Sequence, residues 1–204
     1  MSRVKEHRAA AVAGRLIERI LIVAAIAVVL HLLFSRWMVP VRCNGSSMQP
    51  TLSSGDVVLS DRLYRYGRGL RRGDMVAVRS ASGELFIRRV VGMPGETADM
   101  KEGKIFVNGC PLEEDYLAES AWDNEMQPMT IPMGAYLLLS DDRADTSDSR
   151  DPEIGCVPET EILGLVRIRV MPFARFAVFY HDDKPKEPEQ TVFDAEQTKK
   201  ATVE

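Results

Sequence analysis

The sequence predicts a mainly β domain, a folded sheet or partly open barrel, behind one N-terminal membrane-spanning helix. Three observations predict it. An apolar run extends from Ile20 to Phe34, broken only by His31. Beyond Pro40 the apolar residues fall in short β-rich runs punctuated by Gly-Asp and Asn-Gly pairs. That region has little helical periodicity and no internal repeat.

A chain of 204 residues can hold an anchor and one domain with a substantial core. Its 45% hydrophobic and 27% charged residues are an ordinary globular balance, and a net charge of −4 offers nothing to nucleic acid. Cys43, Cys110 and Cys156 lie far apart without a CxxC spacing. This argues against a zinc site and a disulfide-dense fold, and leaves open one bridge or three free thiols. No metal or cofactor is expected.

Residues 1–19 form a basic flank in which Arg3, Lys5, Arg8, Arg15 and Arg19 outnumber Glu6 and Glu18. The apolar segment is read as residues 20–39. A cleaved signal peptide would need a small-x-small site after its apolar core, and Phe34-Ser35-Arg36-Trp37 supplies none. A buried core helix would carry polar residues on some face. A signal anchor fits best, with its basic end cytoplasmic, the following domain outside and the lipid bilayer as a partner. Leu16, Ile17 and Trp37 to Val39 bring the span to the roughly 20 residues that a hydrocarbon core requires.

Pro40 is expected to end the helix. Asp56 to Leu59 and Met75 to Val78 read as strands, each opened by Gly-Asp. Between them Arg62, Arg65, Arg68, Arg71 and Arg72 read as a solvated basic loop, with attraction to an anionic lipid surface as the alternative. Leu85 to Val91 is a strand, and Ile105 to Val107 leads into the hairpin pair Asn108-Gly109. Tyr136 to Leu139 is a buried strand entering an acidic loop, and Val166 to Val170 alternates cleanly. The β-rich domain therefore spans 40–180. Residues 181–204, charged and containing Pro185 and Pro188, read as a disordered tail.

The stretch Asn44-Gly45-Ser46-Ser47-Met48-Gln49-Pro50-Thr51-Leu52 places a hydroxyl on a kinked backbone between a glycine and a proline. By itself it is equally well an ordinary turn. A serine nucleophile needs a base, and the only histidines are His7, His31 and His181, in the flank, the apolar run and the tail. A Ser-His-Asp triad is thereby excluded from the domain. A Ser-Lys pair is the remaining arrangement, in which a buried lysine loses enough pKa to accept the proton.

Three segments resemble the bacterial type I signal peptidases, membrane-anchored serine endopeptidases that remove signal peptides from exported proteins. Gly45 to Leu52 resembles the family's S/G-x-S-M-x-P-T-L box. Ile87-Arg88-Arg89-Val90-Val91-Gly92-Met93-Pro94-Gly95-Glu96 resembles K-R-V-x-G-x-P-G-D/E. Ser140 to Arg150 resembles G-D-N-R-x-x-S-x-D-S-R, with Gly155-Cys156-Val157-Pro158 following as G-x-V-P. The single span and short chain look more like the Gram-positive style. The resemblance implies Ser47 as nucleophile and Gly45 with the Ser47 N–H as the oxyanion groups. It implies Thr146 as the hydroxyl orienting the base, and Asp148 with Arg150 as a supporting ion pair. It also implies preproteins with small residues at −1 and −3 as substrates, and the secretion translocase or a pilus assembly system as further partners.

One position departs from that pattern. The family's general-base lysine is here Arg88, whose guanidinium stays charged at any ordinary pH. By alternation Arg88 shares a face with Phe86 and Val90 and points inward. Asp141, Asp142, Asp145 and Asp148 are its candidate partners, with Ser140 and Asp142 as compensating changes in the acidic loop. Two readings follow. One is an active peptidase using another route, with Lys101 and Lys104 the only lysines of the domain. The other is a catalytically silent relative that binds signal-like or pilin-like segments. A soluble self-cleaving regulator resembling the SOS-response repressors would lack the anchor.

Overall fold

The computed structural model describes residues 2–80, 83–117 and 125–179. The tail read at 181–204 lies outside them. The chain divides into two units, Met1–Val39 and Pro40–Glu204.

The first unit is one helix, α1 (Ser2–Trp37). Its segment Gly14–Trp37, 24 residues, is long and apolar enough to cross a membrane, since 1.5 Å per residue gives about 36 Å against a hydrocarbon core of roughly 30 Å. Leu16, Ile20, Val23 and Leu30 are all more than half exposed, as a span whose natural cover is lipid would be. Trp37, not Pro40, ends the helix. Pro40 instead lies inside strand β1 (Met38–Arg42) at the end of a sheet, where a missing N–H is tolerated.

The second unit is built from two antiparallel sheets. The larger contains β1, β2 (Val57–Asp61), β3 (Met75–Arg79), β4 (Leu85–Gly92), β9 (Ala135–Leu139), β10 (Val157–Pro158), β11 (Ile162–Met171) and β12 (Ala177–Val178). Its order is β1-β2-β11-β3-β4-β9-β10, with β12 on β11. The smaller is β7-β6-β5-β8, from β5 (Thr97–Lys101), β6 (Lys104–Val107), β7 (Cys110–Pro111) and β8 (Met126–Thr130). The sheets do not close into a barrel.

Strands β4 and β9 are covered on both faces, which is why their apolar residues run without alternation. Val90 and Leu138 enter one core cluster with Tyr64, Val76 and Leu165. Val91, Leu137 and Leu139 enter a second with Met100, Ile105 and Ile131. Between these layers there is no room at Gly92: a Cβ there would lie 2.3 Å from Ile131 Cδ1 and 2.9 Å from Leu137 Cβ. The Asn108-Gly109 turn joins β6 to β7 with φ of 52° and 79°, the left-handed pair that such a hairpin demands.

The Gly-Asp pairs do more than turn the chain. Asp56 and Asp74 are buried and each holds arginine: Asp74 receives Arg68 through two bonds, 2.7 and 2.9 Å, and Asp56 receives Arg175 at 2.6 Å and Arg169 at 3.3 Å. The basic stretch 62–72 is accordingly not a free solvated loop. Residues Arg62–Tyr66 form a 3-10 turn capped by Asp61. Arg65 reaches the Ile162 carbonyl at 3.0 Å, and Arg72 pairs with Glu96 at 2.5 Å. A guanidinium near a fixed carboxylate gains hydrogen bonds without full burial, so composition alone misjudged this stretch.

Candidate active site

The Ser47 loop is held from within by two apolar anchors, Met48 and Leu52, 4% and 1% exposed. Backbone bonds from Gln49 N to Ser46 O (2.8 Å) and Leu52 N to Met48 O (2.7 Å) tighten it into a turn. Gly45 enters it at φ +80°, a conformation that a side chain would resist. At the loop's ends, Cys43 N donates to Asp56 O and Gly55 N to Cys43 O, 2.8 and 2.9 Å. From β11, Arg169 Nη1 donates to the Thr51 carbonyl at 3.0 Å. Ser47 is therefore fixed in a cavity of about 170 Å³ whose wall includes Cys43, Phe86, Arg88, Asp145 and Ser147.

Strand β4 presents two arginines to this region. Arg88, 7% exposed, points inward as alternation predicts. Its Nη1 donates to Ser47 Oγ at 2.9 Å and to the Ile87 carbonyl at 2.8 Å. Nε and Nη2 both donate to the Ser147 carbonyl, 3.2 and 2.6 Å. Burial lowers its pKa from the ordinary arginine value, opposed by the charge of Asp145 and Asp148, yet a guanidinium in a protein stays protonated.

The four expected carboxylate partners of Arg88 resolve differently. Asp141 belongs to Arg89, Asp148 to Arg150, and Asp142 Oδ1 accepts from Ala144 N at 3.1 Å. Only Asp145 approaches, with Oδ2 3.9 Å from Nη2, beyond hydrogen-bond reach. Ser140 offers no compensation either: its Oγ is buried and makes no hydrogen bond among the described residues. Backbone carbonyls, not the substituted side chains, accept from the guanidinium.

Arg89 is the second arginine, and the sequence reading gave it no role. Its Nε and Nη2 meet Asp141 Oδ1 and Oδ2 at 2.7 and 2.5 Å. Thr51 Oγ1 donates to the same carboxylate at 2.6 Å. Tyr116 covers the guanidinium with its ring, 3.9 Å from centroid to Cζ. Asp142 N also donates to the Ser47 carbonyl at 2.9 Å, so the acidic loop and the Ser47 loop are joined twice. Arg89, Asp141 and Thr51 each fall in one of the three family-like segments, but nothing in the sequence joined them to one another.

In the acidic loop, Asp148 receives Arg150 Nη2 at 2.7 Å and Nε at 2.9 Å, together with the Ser140 and Arg150 backbone N–H groups. Burial alone would raise the Asp148 carboxyl, but these bonds and the Arg150 charge hold it below the usual carboxylate range. The expected pair is thus formed. Thr146 is not brought to the site as expected: it is exposed and does not line the Ser47 cavity. Arg88 bonds the neighbouring Ser147 carbonyl instead. Lys101 sits on the smaller sheet, paired with Asp99 at 2.6 Å. Lys104 is exposed beside it, and neither lysine lines the Ser47 cavity. All three cysteines are free.

A family model described as signal peptidase, peptidase S26, matches residues 14–171. The chain belongs to the signal peptidase family. Signal peptidase I T of Bacillus subtilis is 31% identical over 159 residues, 72% of this chain and 82% of that protein. Signal peptidase I of Bacillus amyloliquefaciens is 30% identical over 167 residues, covering 76% and 84%. Signal peptidase IB of Staphylococcus aureus is 29% identical over 189 residues, 84% of this chain and 97% of that one. The crystal structure of a signal peptidase I from Enterococcus faecalis is 29% identical, with a TM-score of 0.42, covering 48% of this chain and 97% of that one. The Ser47 cavity, with Arg88 on its wall, lies within the residues that the family model matches.

Proposed function

We propose that this chain is a membrane-anchored serine endopeptidase that removes signal peptides from exported proteins at small-x-small sites. Its N-terminus is cytoplasmic and its β domain lies outside. Ser47 is the nucleophile, and the Gly45 region with the Ser47 N–H receives the oxyanion. The observation that carries this reading is the 2.9 Å bond from Arg88 Nη1 to Ser47 Oγ inside a cavity.

The bond supports a donor's part for Arg88. It donates to Oγ and so favours the alkoxide electrostatically, but it cannot accept the serine proton. That proton leaves to water or hydroxide in the cavity. Asp148–Arg150 and Arg89–Asp141 hold the flanking loops. Loss of a positioned base costs about 10²–10⁴ in rate, so the enzyme is expected to be slow beside a lysine-bearing relative.

The same bond favours a second reading. With Oγ occupied as an acceptor and no base beside it, the chain binds signal-like or pilin-like segments without cleaving them, and assists the secretion translocase or a pilus assembly system. Cleavage of a reporter preprotein with an Ala-x-Ala site, in detergent micelles, separates the two. Turnover by the wild type that vanishes in Ser47→Ala supports the peptidase. A silent wild type that gains turnover in Arg88→Lys overturns it in favour of the binder.

A further inference from the structure

The Ser47 cavity holds a permanent positive charge whose nearest anion, Asp145, stands 3.9 Å away without a hydrogen bond to it. Arg88 has five N–H donors, and its four hydrogen bonds go to the Ser147 and Ile87 carbonyls and to Ser47 Oγ. Every one of these acceptors is neutral. One Nη2 N–H has no acceptor at hydrogen-bond distance among the described residues, the nearest carboxylate oxygen being that of Asp145 at 3.9 Å. Asp145 is itself turned toward the backbone, its Oδ1 accepting from Ser147 N at 2.9 Å. Among the described residues Arg42 is the one other charged group on the cavity wall, so two cations face one anion there.

A guanidinium that is 7% exposed and bonded only to neutral acceptors is a poor end state for a charge. Its one open Nη2 N–H and its charge suit a carboxylate, one oxygen of which can bind through a charge-assisted bond. We propose that Arg88 makes the Ser47 cavity a binding site for a peptide's free α-carboxylate. The ligand class is a peptide ending in small residues, as a released signal peptide does, held more tightly than the same sequence with an uncharged terminus. The inference rests on the proposed reading of this cavity as a signal-peptide site.

The physical contrast is with an amine. A lysine acting as base must be neutral in its working state and then offers a carboxylate no charge. Arginine offers its charge at every pH. In a peptidase this retention makes the released signal peptide a strong product inhibitor. In a chain without turnover it makes the cavity a receptor for cleaved ends.

The test uses the full chain in detergent micelles and a fluorescent apolar peptide ending in Ala-x-Ala, made as the free acid and as the C-terminal amide. Binding is read by polarisation against empty micelles. The acid is expected to bind about 10-fold or more tightly than the amide, within the range of one charge-assisted bond. That preference is expected to disappear in Arg88→Gln. In Arg88→Lys it is expected to fade as pH rises from 7 to 10, while the wild type keeps it. Equal affinity for acid and amide in the wild type, which needs no variant to fold, overturns the inference alone. A preference that survives Arg88→Gln overturns it as well. Binding of neither peptide overturns the signal-peptide reading of the cavity and the inference with it.

Discussion

Arg89 and Asp141 meet through two parallel bonds, 2.7 Å at Nε–Oδ1 and 2.5 Å at Nη2–Oδ2, with the Asp141 side chain fully buried. The pair joins strand β4 to the acidic loop, and Thr51 attaches the Ser47 loop to the same carboxylate. Removing one partner leaves the other charge buried and unmatched, which costs about 3–5 kcal/mol. Asp141→Ala is therefore expected to lower the denaturant midpoint strongly. Arg89→Lys is expected to lower it by less, because an ammonium keeps the charge but cannot span both oxygens. Urea unfolding of the full chain in micelles measures both.

The pH dependence of cleavage distinguishes an arginine-assisted serine from a lysine-assisted one. With Arg88 unable to take a proton, the rate follows hydroxide and is expected to rise about tenfold per pH unit through neutrality without a plateau. Arg88→Lys is expected to introduce a plateau above the lysine pKa. A wild-type profile that levels off near pH 7 would mean that some other group in the cavity serves as base.

Asp148 links acid stability to the Arg150 pair. Its folded pKa lies below the ordinary carboxylate value, so its contribution is complete above about pH 4, where the unfolded group is already ionised. The contribution is lost as pH falls toward the folded value. Asp148→Asn is expected to lower stability at pH 7 while flattening its decline below about pH 4. Thermal melts between pH 2 and 7 give the comparison.

Cys43 titrates in the opposite sense. Burial, followed by the Asp56 charge, pushes its thiol from 9.0 up to about 11. A raised pKa means stability that is present below the unfolded value and lost as pH passes from about 9 to about 11. At pH 8 the buried thiol is expected to react with iodoacetamide far more slowly than the partly exposed Cys110. Mass spectrometry of a labelling time course reads the two rates separately.

Much of this architecture was legible in the residues. The Asn108-Gly109 turn followed from a backbone conformation, and the buried run at Tyr136 to Leu139 from an unbroken apolar stretch. Arg88 and its neighbour Arg89, by contrast, are buried alike, so a period of two does not set burial in that strand. Strand β5 is half polar, and β8 contains Pro128, which argues against a strand; it is tolerated because β8 lies at a sheet edge. What local pattern could not supply was partnership across the chain. Arg88 bonds a carbonyl 59 residues away, and carbonyls leave no mark in the side-chain sequence. The Arg72 and Arg89 pairings likewise reach across 24 and 52 residues, a spacing that nothing along the chain marks.

The grip of Arg169 and Arg175 on Asp56 and Thr51 has a consequence for the order in which the molecule is made. The Ser47 loop is synthesised early, directly after the anchor, but β2 beside it pairs with β11, about a hundred residues later. Until that strand arrives, Asp56 is an unneutralised charge and the loop lacks its outer clamp. Contacts so distant in sequence form late. A nascent chain thus carries the Ser47 loop first and gains its clamp last, so a partly emerged domain holds that serine in incomplete surroundings.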